Sequence, residues 1–377
     1  MTAIRRLACL LLLGLPVAAT AGDSGFVRGV DLTGWDRYAV RGTVYRDATG
    51  LPVGLPALLA AHGIDTVRLQ VLRVPGFGGE ERSARVAGSL RARGLRIWLD
   101  LHLSERPAGP FAQEKPEAWR DLPLAQLATE VRRYTRETLR RFESLGGRPA
   151  FVQLGNEVAH GILWDDGRLG PGFDAPENHE RFALLMTAAA EGVRDVLADR
   201  AEIVVHMETA GDPEATRALL DDLVARGVPF DRIGLSYYPW WQGTLAQLEE
   251  TMKALAERYD RPVGIVETAY PWVLKEGDET LNEVAQPAQL HPGFEATPEG
   301  QAAYLAELLA MAGRLPEGRA GGVIWNGPER IVSKGLLSAR ENLALFDEEG
   351  TALPAWESWR RGSLAEQAGG DGLEPVQ

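Results

Sequence analysis

Cysteine is almost missing from this chain: Cys9 is the only one in 377 residues, and it lies in a segment that reads as temporary. Arg5 and Arg6 precede an apolar stretch from Leu7 to Val17, and Ala19-Thr20-Ala21 then supplies small residues spaced for cleavage. This is the pattern of a secretory signal peptide over residues 1–21, cut near Ala21. The stretch is too short to anchor in a bilayer, which takes about 20 apolar residues. Arg6 also stands where a lipoprotein signal would carry an aliphatic side chain. The mature chain is therefore expected to be exported, to the periplasm or the medium, with neither thiol nor disulfide. Its stability has to come from a large core.

Basic residues are in deficit as well. Forty Lys and Arg face 53 Asp and Glu, a net charge of −13 that becomes −15 when Arg5 and Arg6 leave with the leader. Such a surface repels nucleic acid and anionic membranes and suits a neutral partner. No low-complexity tract or solenoid-length repeat is present. No His, Cys and Asp cluster has metal-ligand spacing, and the acidic stretch Lys275-Glu276-Gly277-Asp278-Glu279 reads as a solvated loop. Neither a metal nor a cofactor is expected. A Gly-rich phosphate loop is also missing after the first apolar run, where Asp31-Leu32-Thr33-Gly34-Trp35 stands instead. That disfavours an open, doubly wound sheet.

What is present is an eightfold alternation. The strand candidates are Val27 to Thr33, Thr66 to Leu72, Arg96 to Leu103, Ala150 to Glu157, Glu202 to Glu208, Arg232 to Tyr238, Pro262 to Thr268 and Gly321 to Gly327. Several are near-continuous apolar runs, as in a parallel sheet covered on both faces. Helical spacing appears between them, most clearly over Leu124 to Leu145, Glu180 to Leu197, Leu245 to Tyr259 and Glu299 to Ala312. Gly63, Gly94, Gly146 and Gly227 mark helix ends. The expectation is a monomeric (β/α)8 TIM barrel in one domain over residues 22–362, with a disordered tail over 363–377.

In that fold the site is built at the C-terminal strand ends. Arg68, His102, Asn156, Glu157, His206, Tyr238, Glu267 and Trp325 all fall at or near them. Glu157 closes Phe151-Val152-Gln153-Leu154-Gly155-Asn156-Glu157, and Glu267 closes Val263-Gly264-Ile265-Val266-Glu267. A carboxylate where a buried strand emerges is costly to desolvate. One alone reads as a salt bridge to an Arg. Two, on strands four and seven of a barrel, face each other across the mouth. They would be spaced about 5 Å apart for double displacement at a glycosidic bond.

The flanking residues resemble glycoside hydrolase family 53, the arabinogalactan endo-β-1,4-galactanases of clan A. The resemblance runs from Gly29-Val30-Asp31 and Gly63-Ile64-Asp65-Thr66-Val67-Arg68-Leu69 through Asp100-Leu101-His102-Leu103-Ser104, Gln113 and Ala118-Trp119. It continues over Gly155-Asn156-Glu157, Gly161-Ile162-Leu163-Trp164, Ser236-Tyr237-Tyr238-Pro239-Trp240-Trp241 and Glu267 to Trp272. It implies a secreted, retaining hydrolase of β-linked galactan. Glu157 would be the acid/base and Glu267 the nucleophile. Asn156 would bind the sugar 2-hydroxyl, and Arg68 and Tyr238 would hold the nucleophile ionised. Trp325 would form an aromatic floor, and His102 and His206 would be site-lining donors. Trp241 and Trp272, with Trp164 and Trp240, would be stacking surfaces.

The chain departs from the family pattern around the cleft. Leu103 to Pro110 puts Pro107 in place of a tryptophan and Gly109 in place of an aspartate, and Ile324-Trp325-Asn326-Gly327-Pro328 loses a carboxylate. Two other readings therefore stay open: an exo-acting or transglycosylating relative with another β-hexosyl linkage, and a carbohydrate-binding protein without activity.

Overall fold

The computed structural model describes residues 25–360. The expected leader and the tail from residue 363 lie outside the described residues. The eight apolar runs form the strands β1 (Val27–Asp31), β2 (Thr66–Val71), β3 (Arg96–Leu101), β4 (Phe151–Leu154), β5 (Glu202–Met207), β6 (Arg232–Ser236), β7 (Val263–Thr268) and β8 (Ala320–Asn326). All are parallel, and they close in chain order, β8 pairing back onto β1. Between them run α1 (Leu55–Ala61), α2 (Glu80–Arg91), α3 (Leu124–Ser144), α4 (Pro176–Leu197), α5 (Pro213–Ala225), α6 (Leu245–Tyr259) and α7 (Pro298–Gly313). Residues 355–360 are helical after β8. This is the (β/α)8 barrel that the alternation implies.

The boundaries show what local chemistry decides. Gly63, Gly94, Gly146 and Gly227 sit after helices with φ between 71° and 87°, the left-handed stop that glycine adopts without a Cβ clash. α4 starts at Pro176 rather than Glu180, because a proline in the first turn pre-sets φ and lacks an N–H that would have no partner there. Most of the strands stop one to three residues short of the expected ends. There the chain leaves the sheet and becomes the mouth.

Inside the barrel, Val27, Trp98, Phe151, Val204, Val266 and Ile324 pack into an apolar floor, with Trp98 stacked on Phe151 at 4.9 Å. The opposite faces of the same strands, including Val67, Leu69, Ile97, Leu99, Val152, Ile203, Val205 and Val323, join the core beneath the helices. Side chains alternate along a strand, so Arg68, Asp100, Gln153 and His206 point into the lumen above the floor.

β7 breaks this alternation. Val263 and Ile265 face the helices and Val266 faces the lumen, which would turn Glu267 outward. Both neighbouring strands instead shift register here: Leu235 pairs with Ile265 but Ser236 with Glu267, and Val323 pairs with Ile265 but Trp325 with Thr268. The extra residue is a β-bulge. It turns the Glu267 carboxylate into the mouth beside Val266.

Candidate active site

Arg68 organises the mouth. Its side chain is fully buried, and a guanidinium has five N–H donors. All five are used: Nε donates to Gln153 Oε1 (3.3 Å), one terminal nitrogen to Asp31 Oδ2 (2.7 Å) and Glu267 Oε1 (2.8 Å), and the other to Asp100 Oδ2 and Asn156 Oδ1 (both 2.8 Å). A buried charge persists only when paired and hydrogen-bonded, and this one answers three carboxylates. Tyr238 donates its hydroxyl to Glu267 Oε2 (3.2 Å) and accepts from Asn326 Nδ2 (2.8 Å). Arg340 lies over the Tyr238 ring, 5.1 Å from its centre. Burial pushes the Glu267 carboxyl up. The Arg68 and Arg340 cations and the bonds from Arg68 and Tyr238 outweigh it and hold Glu267 below the ordinary glutamate value.

Glu157 has the reverse environment. β4 ends at Leu154, and Gly155 (φ 75°) turns the chain out of the sheet. A Cβ at Gly155 would lie 2.8 Å from Val158 Cγ1, so both conformation and space require glycine. Glu157 itself takes the left-handed conformation (φ 54°), a strain of about 1–3 kcal/mol that only the surroundings can hold. Gln113 helps to hold it by donating to the carbonyls of Asn156 (2.8 Å) and Glu157 (3.2 Å). The Glu157 carboxyl reaches across to β6, where Ser236 Oγ donates to Oε1 (2.7 Å). Ser236 is the register partner of Glu267, and paired strands lie about 4.8 Å apart, so the two carboxyls converge on one side of the mouth. Burial, then the Glu267 charge, push Glu157 up to about 8, with Glu208 adding to the effect. At neutral pH one carboxyl keeps its proton while the other is ionised.

The remaining expected residues divide. His102 lines the cleft; Ala108 N–H donates to its Nδ1 (2.8 Å), and its Nε2 lies 2.9 Å from Asp100 Oδ2. Asn156, Tyr238 and Trp241 line the cleft too. His206 is fully buried behind Asn156 and Ser236, and burial, with the Arg68 and His102 charges, holds its pKa well below the ordinary histidine value.

Two tryptophans need correction. Trp325 is not a floor of the cleft: it lies on the outer face of β8 with Val323, fully buried, edge-on to Tyr304 of α7, with Nε1 donating to Leu343 O. Strand alternation gives the inward position to Asn326 instead. Trp272 borders a separate small void with Val273, Ile331 and Asn342, not the cleft. Trp164 is bonded to His160 O and covered by Arg168.

Other groups in or just behind the cleft escaped sequence reading. Arg340 comes from the long segment after β8, Ser236 from inside an apolar run, and Glu208 from the residue after β5. Glu208 Oε1 binds His160 Nδ1 (2.9 Å), which raises the His160 pKa. A glutamate just past a strand end was a readable signal; the other two carried none. The cleft measures about 790 Å³. Phe111 and Trp241 stand in its walls and are 90% and 61% exposed, which leaves their rings open to a ligand. Among the described residues, no three His, Cys, Asp or Glu side chains gather as a metal site, and no helix is long and apolar enough to cross a membrane.

An acid and an ionised carboxylate in one groove with exposed rings are what glycosidic cleavage uses. Known proteins give the same direction. The glycosyl hydrolase family 53 model matches residues 27–358. A protein of Niallia circulans, named only for its position in the bgaB 5′ region, is 37% identical over 348 residues, covering 90% of this chain and 95% of that one. A probable arabinogalactan endo-β-1,4-galactanase A of Neosartorya fischeri is 31% identical over 254 residues, 65% of this chain and 69% of the relative. Among solved structures, the family 53 catalytic domain of Ignisphaera aggregans superposes with a TM-score of 0.83 at 30% identity, over 90% of this chain and 97% of that chain. A fungal β-1,4-galactanase superposes at 0.78 with 25% identity, over 89% and 99%. The chain belongs to glycosyl hydrolase family 53.

Proposed function

We propose that this enzyme is exported and hydrolyses β-1,4-galactosidic bonds within galactan chains, with retention of anomeric configuration. The observation that carries the chemistry is the opposite displacement of the two carboxyls. Glu157 donates its proton to the glycosidic oxygen as the carbon–oxygen bond breaks, and ionised Glu267 attacks the anomeric carbon. Glu157, now a carboxylate, takes a proton from water, and the resulting hydroxide displaces Glu267. Arg68, Tyr238 and Arg340 keep the nucleophile charged. Asn156, fixed through Arg68 and by its Nδ2 bond to Ala108 O (2.9 Å), is held for the 2-hydroxyl.

The substrate rests on the named galactanases among the relatives. Internal cleavage is supported by a groove open past the catalytic cleft: Gln70, Pro107 and Arg330 also border a second depression of about 300 Å³. Export rests on the leader pattern. Glu157→Gln and Glu267→Gln should each lower hydrolysis of β-1,4-galactan by at least about 100-fold; unchanged turnover in either removes the assignment. The first-formed anomer, read by NMR, should be β, and an α product would refute double displacement. Products from a panel of galactans, glucans and mannans decide linkage and chain position.

A further inference from the structure

Ser236 and His206 form a buried chain behind Glu157. Both are fully buried. Ser236 Oγ lies 2.7 Å from Glu157 Oε1 and 2.9 Å from His206 Nε2. His206 Nδ1 lies 3.0 Å from both Gln153 Nε2 and Asn156 Oδ1. The amides on either side are fixed in orientation. Gln153 Oε1 accepts from Trp98 Nε1 and Arg68 Nε, so its Nε2 must be the donor. Asn156 Oδ1 accepts from Arg68 while its Nδ2 donates to Ala108 O.

Burial beside the Arg68 cation keeps His206 neutral, with one N–H to give. If that hydrogen is on Nε2, it goes to Ser236 Oγ, one of the two Gln153 Nε2 hydrogens goes to His206 Nδ1 (3.0 Å) and the other to Asp100 Oδ1 (2.8 Å), and the serine hydrogen points to Glu157 Oε1. The carbonyl oxygen of a carboxylic acid is the better acceptor, so the serine bond to Oε1 favours the proton on Oε2. If the hydrogen is on Nδ1, it goes to Asn156, Ser236 donates to Nε2, and Oε1 must carry the proton to satisfy Ser236. The histidine tautomer thus selects the oxygen that bears the acid proton. Only the Nε2–H form also serves ionised Glu157, because a carboxylate needs the serine as donor.

The two oxygens are not equivalent. Oε1 is tied down by Ser236. Oε2 lies 3.2 Å from the position of a Cβ at Gly109, in the loop whose Ala108 and Pro110 line the cleft. We infer that Ser236 and His206 are positioning residues that keep the acid proton of Glu157 on Oε2, where a leaving-group oxygen takes it. This rests on the acid role proposed for Glu157. On donation the Oε2–H bond breaks and an O–H bond forms on the departing sugar. The glycosidic electron pair leaves with that sugar's oxygen, and Ser236 meets the new negative charge without any group turning over.

Two experiments test this. In ¹⁵N-histidine-labelled wild type, NMR should report His206 as the Nε2–H tautomer, and an Nδ1–H resonance overturns the inference whatever the substrate. Ser236→Ala should lower kcat/KM on aryl β-galactobiosides about tenfold or more for poorly acidic phenols and far less for dinitrophenol, which needs no acid. Ser236→Thr should restore the flatter dependence. An equal loss across all phenols would mean a merely structural role and would overturn the inference. Absence of wild-type hydrolysis of every galactobioside would instead remove the proposed substrate and leave the tautomer result standing.

Discussion

Replacing Glu157 by glutamine should make the enzyme far slower yet more stable, by an amount that grows with pH. This carboxyl titrates near 4.5 in an unfolded chain and near 8 in the folded one. Between those values the folded state holds a proton that the unfolded state releases, so wild-type stability falls as pH rises through the window. Each unit of separation is worth about 1.4 kcal/mol. At pH 7 that comes to about 3.4 kcal/mol, and the partial exposure of Glu157 to the cleft reduces it to about 2 kcal/mol. Glutamine has no proton to lose and its Oε1 still accepts from Ser236. The variant should therefore melt about 3 °C higher at pH 7, because unfolding a chain of this size carries an entropy of about 0.7 kcal/mol/K. The gap should nearly close at pH 4.5 and approach its maximum near pH 8, as followed by urea unfolding at half-unit intervals. A gap independent of pH, or one that narrows toward pH 8, would refute the reasoning. Hydrolysis should fall by about 10²–10⁴ in the same variant.

Removing the Arg340 cation by Arg340→Met should move the acidic limb of the kcat/KM profile upward, because Glu267 then protonates more easily; an unmoved limb would mean that Arg68 and Tyr238 suffice. Phe111→Ala and Trp241→Ala should each raise KM for galactan about 2- to 12-fold, the loss of 0.5–1.5 kcal/mol of ring contact, with kcat on short substrates little changed. Gly155→Ala places a Cβ against Val158 at a left-handed turn and should cost more than about 1 kcal/mol in denaturant titration.

The barrel was legible because its strands and helices obey short-range rules: apolar runs of strand length, glycine at helix ends, and 3.6-residue spacing between. Both glutamates were singled out as a strand-end pair together with the residues that flank them. Side-chain direction at the strand ends was not. Reading Trp325 as cleft-facing ignores the two-residue period, which gives Asn326 that place once Ile324 is known to fill the floor. Glu267 shows the opposite failure: strict alternation would have turned it away, and only the register of β6 and β8 reveals the bulge that turns it in. Arg340 lies 14 positions beyond the end of β8, in a segment with no periodic pattern, and it reaches Tyr238 only through the folded path of the chain.

Arg68 joins groups from β1, β3, β4 and β7 in one set of hydrogen bonds. A barrel left unclosed at any of those strands loses part of that set, and with it the fixed placement of one of the cations that keep Glu267 charged. Turnover is therefore an assay of assembly. Partly annealed or thermally loosened molecules should contribute nothing to the measured rate, and during refolding activity should return only as fast as the last strand is zipped in.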